Sequence, residues 1–289
     1  MAVSPSMTSL PRARRFDWNN LGVRAASAAV LAPAALFLTW IDPRPFLVLV
    51  SVAVSVISIE WGVMTARQGP VRVAAVVTIA TLTVTFLAYT DHILPAWACV
   101  AVGALAAAAV ARGVSARAVD AAYGVLYIAP ACLTLVWLRG TAQGEWWTVM
   151  LFATTWAADI FAFLVGSALK GPKLWPRYSP NKTWSGLFGG LAGAVGASAA
   201  VAAGNSAFAG AAAKMHVSLA AACVIGLAGG VATMAGDLWE SMLKRRFGVK
   251  DSGDLIPGHG GLLDRVDGLM FATIAFGAAR LVAHYGWAR

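Results

Sequence analysis

Apolar residues along this chain fall in long, nearly unbroken runs, without the strict alternation of a half-buried strand or the narrow stripe of a surface helix. The runs lie near 21–40, 45–65, 71–90, 93–111, 119–138, 146–169, 184–204, 216–243 and 266–286. Each is close to the roughly 20 apolar residues that a helix needs to cross a hydrocarbon core. The pattern therefore predicts nine transmembrane helices and an all-α polytopic membrane fold. The breaks between runs carry turn formers and charges, as in Asp42-Pro43-Arg44-Pro45, Gln68-Gly69-Pro70, Thr90-Asp91-His92 and the stretch from Gly171-Pro172 to Pro180. One domain is expected, with an N-terminal tail over 1–20, helices over 21–145 and a C-terminal region, 146–289, that holds most of the candidate chemistry.

Composition strengthens this reading. The chain is 59% hydrophobic and 12% charged, with a mean hydropathy of +0.72, whereas a soluble domain carries about 25% charged residues. On a soluble domain the net charge of +9 would suggest a nucleic-acid partner; here the basic residues report topology and no nucleic acid is expected. With nine crossings and a cytoplasmic N-terminus, all Lys and Arg residues fall inside except Arg44, Arg139, Lys214, Arg280 and Arg289. Adding or losing a helix midway would scramble that bias, so the C-terminus is expected outside. The run over 21–40 is too long for a typical cleaved signal peptide and reads as an uncleaved first crossing. Cys99, Cys132 and Cys223 lie singly in apolar stretches and read as small buried hydrophobes. Glycines of the seventh run, from Gly186 to Gly196, read as close helix packing.

Polar chemistry gathers in two connections, 170–183 and 244–265, which the nine-helix topology puts on one side of the membrane. Asp264 and Asp267 are three residues apart at a helix start and share a face, an arrangement that can hold Mg²⁺. Asp237 leads a stripe with Glu240, Ser241 and Lys244, and ionisable groups at membrane depth should face protein or water. Glycines around His259 allow close approach of backbone amides to phosphate, and Lys244, Arg245, Lys250 and Arg265 supply cationic donors. Each has a plainer alternative: a topological anchor, a loop histidine, acids favoured by a helix dipole. Their joint occurrence within thirty residues favours a site for phosphoryl or nucleotidyl transfer, and no P-loop sequence is present. Ser179, Lys182 and Thr183 precede a helix whose N-terminus attracts phosphate, or else cap it. Asp159 sits in an apolar helix and needs a partner or a ligand, while Glu60 and Asp120 read as structural pairs.

The residues Ser241-Met242-Leu243-Lys244-Arg245, Lys250-Asp251, Pro257-Gly258-His259-Gly260-Gly261 and Asp264-Arg265-Val266-Asp267 resemble the signature of phosphatidate cytidylyltransferases, the CDP-diacylglycerol synthases. Gly236-Asp237-Leu238-Trp239-Glu240, the Asp159 helix and Ser179 to Trp184 resemble the same family in order and spacing, so the resemblance is sharp over 155–270. Asn181 and Ser185 depart from it, standing where the family commonly has lysine and glutamate. The resemblance implies transfer of CMP from CTP to phosphatidic acid in phospholipid biosynthesis. It implies catalytic roles for Asp237, Lys244, Asp264 and Asp267, with Mg²⁺ and a possible second cation on Asp237, Asp264 and Asp267. Substrate contacts are expected from Asp159, Ser179, Lys182, Thr183, Arg245, Lys250, His259 and Arg265. A homodimer in the cell inner membrane, with its site facing the cytoplasm, completes the expectation. A CDP-alcohol phosphotransferase would need Ala-Arg shortly after Asp267-Gly268, where Leu269-Met270 stands. A secondary transporter would leave the polar connection unexplained.

Overall fold

A computed structural model describes residues 18–66, 68–114, 117–210, 215–253 and 260–285, with side chains placed from residue 29 to 283 within those ranges. The described residues form nine long helices: α1 (Trp18–Ile41), α2 (Pro43–Thr65), α3 (Pro70–Tyr89), α4 (Ile93–Val110), α5 (Ala118–Gly140), α6 (Gly144–Leu169), α7 (Trp184–Phe208), α8 (Leu219–Arg246) and α9 (Leu263–Tyr285). Eight of them, α2 to α9, are long and apolar enough to cross a membrane, which makes the protein an all-α polytopic membrane protein. The expected first crossing corresponds to α1, whose apolar part among residues with placed side chains is the shorter stretch Ala29–Ile41.

Helix starts follow local chemistry. The Asp42 carboxylate accepts from the Arg44 amide at 2.8 Å and Pro43 supplies a preset first turn for α2. Buried hydroxyls inside the helices donate to carbonyls one turn back, as Thr65 does to Trp61, Thr85 to Thr81 and Thr148 to Gly144. Such bonds satisfy hydroxyls where no water is available.

Helix α5 joins the two halves of the chain, packing against α2, α3 and α4 on one side and against α9 on the other. One continuous apolar core, with Trp61, Phe46, Trp147 and Phe276 among its largest buried side chains, runs through both halves. The most extensive helix–helix contact is that of α6 with α7. A methyl group on Gly186 or Gly190 would lie 2.9 or 2.8 Å from the Ala162 or Ala158 carbonyl oxygen, so these glycines set the approach, as their spacing predicts.

The connection between α6 and α7 departs from a plain loop. It forms a two-stranded antiparallel ribbon, β1 (Lys173–Trp175) and β2 (Ser179–Thr183), with Lys173 opposite Thr183 and Trp175 opposite Ser179. Trp175 and Tyr178 meet edge-on at its tip, with the Arg177 guanidinium over the Tyr178 ring. The ribbon delivers Thr183 as the N-cap of α7, its hydroxyl accepting from the Gly186 amide at 3.1 Å. Ser185 accepts from the Gly171 amide at 3.3 Å and closes the base of the ribbon.

Candidate active site

The site forms where the last turns of α8 meet the first turns of α9. Gly236 makes this possible: a methyl group there would lie 2.5 Å from the Asp267 carbonyl oxygen and 3.0 Å from the Gly268 Cα. A methyl group on Gly268 would in turn lie 2.8 Å from Asp237 Oδ1. The two glycines let the backbones touch, and that contact brings Asp237 and Asp267 side by side. The Asp267 carboxyl neighbours those of both Asp237 and Glu240. Lys182, at the end of β2, reaches across and donates to Asp237 Oδ2 at 2.5 Å. Asp159 of α6 lies near enough to Asp237, Lys182 and Arg265 to feel their charges.

A second group of contacts fixes the start of α9. Lys244 donates to Glu240 Oε2 at 2.9 Å and to Asp264 Oδ1 at 2.5 Å. Asp264 Oδ2 accepts from the backbone amides of Ser252 (3.0 Å) and Gly261 (3.1 Å). The buried Glu60 of α2 accepts from the amides of Leu262 (2.7 Å) and Leu263 (2.8 Å) and from the Ser252 hydroxyl (3.2 Å). These amides open α9 and would otherwise have no helical acceptor. Glu60 is thus a helix cap delivered from the far end of the chain. Asp120 pairs with Arg246, and Trp239 donates to the Tyr123 hydroxyl at 2.6 Å, so α5 is tied to the same end of α8.

The structure brings together Asp159, Lys182, Asp237, Lys244, Asp264 and Asp267 from four elements, α6, β2, α8 and α9. Other candidates lie around this centre. Arg245, Lys250 and Arg265 are exposed at its rim, Arg245 donating to the Val249 carbonyl at 3.4 Å. Ser179 lies on the ribbon opposite Trp175. Thr183 is buried, and its hydroxyl is committed to capping α7. His259 lies outside the described residues. Sequence reasoning does not single out Glu240 or Tyr127 as site residues, although both contribute buried polar atoms beside Asp267. Glu240 was visible as a member of the α8 stripe, whereas Tyr127 resembled any other aromatic residue in an apolar run.

Among the described residues, no three acidic, histidine or cysteine side chains close on one point in the manner of a metal site. The expected Asp237–Asp264–Asp267 triad is not gathered around a single centre here, because both Asp264 oxygens are engaged by Lys244 and backbone amides. The donor chemistry nevertheless suits a hard divalent cation. Asp159, Asp237, Glu240, Asp264 and Asp267 are met by Lys182, Lys244 and Arg265, which leaves an excess of carboxylate oxygen.

A model of the cytidylyltransferase family matches residues 22–282. The chain belongs to that family. It is 39% identical over 267 residues to the phosphatidate cytidylyltransferase of Brucella abortus biovar 1 (strain 9-941), a match covering 88% of this chain and 91% of that protein. It is 37% identical over 163 residues to the phosphatidate cytidylyltransferase of Pseudomonas aeruginosa, covering 56% of this chain and 58% of the relative. To the Rickettsia conorii protein of the same name it is 35% identical over 161 residues, covering 54% of this chain and 66% of that one. The family match extends well beyond the stretch 155–270. Glu60, Asp120 and Tyr127 lie inside it together with the acids of α8 and α9, and the rival readings as phosphotransferase or transporter have no such support.

Proposed function

We propose that the chain is a phosphatidate cytidylyltransferase, which transfers CMP from CTP to phosphatidic acid and yields CDP-diacylglycerol and pyrophosphate. The observation that carries the reading is the meeting of Asp237, Asp267, Lys182 and Lys244 at one end of membrane-spanning helices. There a soluble triphosphate and a membrane lipid can reach the same point. The phosphate monoester of phosphatidate is already an anionic nucleophile near neutral pH, so little base catalysis is needed. An oxygen of that monoester bonds to the α-phosphorus as the bond to the bridging oxygen breaks, and pyrophosphate leaves with that oxygen.

Relief of charge repulsion and in-line positioning then carry the reaction. Lys182 and Lys244 end on carboxylates that a cation can also occupy, and their ammonium groups are free to swing onto phosphate oxygens when it does. Arg245, Lys250 and Arg265, exposed at the rim, meet the incoming triphosphate, while Ser179 and His259 stand as further contacts. Thr183 holds Lys182 in register by capping α7. Asp237 and Asp267, with Asp264 held through Lys244, are the proposed residues for Mg²⁺ and a possible second cation. Bound there, the metal would neutralise the triphosphate and the departing pyrophosphate.

The site faces the cytoplasm of a bacterial inner membrane in this reading, supported by the positive-inside bias of the connections. The N-terminus is then inside, the C-terminus outside and the chain a homodimer, the last resting on the family resemblance. The test is purified protein in detergent with radiolabelled CTP and phosphatidate, with Mg²⁺ or with chelator. Labelled CDP-lipid that forms with Mg²⁺ and disappears with chelator is the expected result. No product from these substrates overturns the reaction, and product that ignores chelation overturns the cation.

A further inference from the structure

Two polar atoms beside Asp267 are buried without a hydrogen-bond partner: the hydroxyl of Tyr127 and Oε1 of Glu240. Tyr127 is 8% exposed and Glu240 1%. Native structures rarely leave such groups unpaired, and an orphan of this kind calls for a physical reason. The surroundings supply one. Tyr127 packs against Phe271 in the first turns of α9, and Glu240, Asp267 and Asp237 are the acids near its hydroxyl. Its ring is held by Trp61 at 5.8 Å, by a stacked Tyr123 at 5.8 Å and edge-on by Phe271 at 6.3 Å, which leaves the hydroxyl little choice of direction. Glu240 is anchored through Oε2 to Lys244, and its carboxyl also neighbours the like-charged Asp267.

We propose that Tyr127, from the N-terminal half of the chain, is a positioning residue for the acidic site, its hydroxyl donating to Glu240 Oε1 through one buried water. This inference rests on the proposed cation-dependent reaction. A neutral phenol among carboxylates can act only as a donor, and a bond to Glu240 relieves the repulsion between Glu240 and Asp267. Glu240 would then be held at both oxygens, by Lys244 and by Tyr127. The Asp267 carboxylate is left oriented for the cation. Partners of this kind, one step removed from a metal, are typically worth about 10–100-fold in affinity or activity.

Tyr127→Phe tests the idea because it removes one oxygen and keeps the ring packing. Binding of Mn²⁺ followed by electron paramagnetic resonance is compared with steady-state kinetics and thermal unfolding. The expected result is Mn²⁺ affinity and kcat each lower by about tenfold or more, with KM for CTP little changed. The melting temperature should fall by a few degrees at most, since one buried hydrogen bond is lost while the ring packing is kept. Glu240→Gln should show the same deficit, and the double variant should be no worse than the poorer single one, the mark of groups acting together. Wild-type Mn²⁺ affinity and kcat in Tyr127→Phe, or fully additive losses in the double variant, overturn the proposal. Wild-type protein that binds no Mn²⁺ overturns the cation reading itself, and the role of Tyr127 falls with it.

Discussion

Replacing Glu60 by glutamine should loosen the start of α9 without touching any residue of the reacting centre. The buried carboxylate accepts from the Leu262 amide at 2.7 Å and the Leu263 amide at 2.8 Å, with the Ser252 hydroxyl at 3.2 Å. Hydrogen bonds to a buried charged acceptor contribute about 1.5–3 kcal/mol each. Glutamine keeps one acceptor oxygen and turns an amide N–H₂ toward the other donor. One bond is weakened by about 1 kcal/mol, and one becomes a donor facing a donor at a cost of about 2 kcal/mol, giving a loss of about 3 kcal/mol. Because Asp264 and Asp267 lie in the first turns of α9, the loss is felt where the chemistry occurs. Thermal unfolding in detergent should shift down by several degrees, and hydrogen exchange at the amides of 261–264 should quicken. CDP-lipid formation should fall by more than the change in melting temperature explains. An unchanged melting point with unchanged exchange in that first turn would show that the cap contributes nothing and refute the reasoning.

Other outcomes follow from the same geometry. Asp237→Asn and Asp267→Asn should each abolish turnover while leaving expression, membrane insertion and melting close to wild type; activity like the parent protein would remove that residue from the site. Gly236→Ala places a methyl group 2.5 Å from the Asp267 carbonyl oxygen, so α8 and α9 must part at a cost of about 1–3 kcal/mol, read as a lower melting temperature together with lost product formation. Lys244→Met leaves Glu240 and Asp264 without their cation, and breaking a buried pair in this way costs about 3–5 kcal/mol, enough to show in detergent melts and in yield. Arg246→Gln breaks the pair with Asp120, but Arg246 is 47% exposed, and solvent screening limits the loss to about 1 kcal/mol or less; a drop as large as that of Lys244→Met would contradict the difference in burial.

The helices were legible because in lipid the backbone must satisfy itself, so run length alone sets where a crossing begins and ends. The eighth run, read as 216–243, and the helix Leu219–Arg246 agree to within a turn at each end. The acids of α8 and the start of α9 were legible because charge at membrane depth is costly and stands out against apolar neighbours. The ribbon at 173–183 was not, since its few residues are polar, contain Pro176 and Pro180, and pair only because α6 and α7 hold their ends together. Glu60 was visible as a buried acid in need of partners, but those partners are backbone amides 202 and 203 positions away, which carry no side-chain signal. Asp264 was grouped with Asp267 from spacing on a helix face and with Asp237 from the family resemblance; its bonds to the amides of Ser252 and Gly261 are tertiary contacts that spacing does not encode.

The cap on α9 also bears on the order in which the protein is made. As the chain leaves the ribosome, Glu60 enters the membrane bundle long before the amides it will hold exist. Closing so distant a contact is entropically slow and comes at the end of assembly. Until the last helix is inserted, α2 carries an unmatched acid, and the acidic end of α8 lacks Asp264 and Asp267. A truncated or stalled chain therefore cannot form a partial, loosely working enzyme, because completing the final helix and completing the reaction centre are the same event.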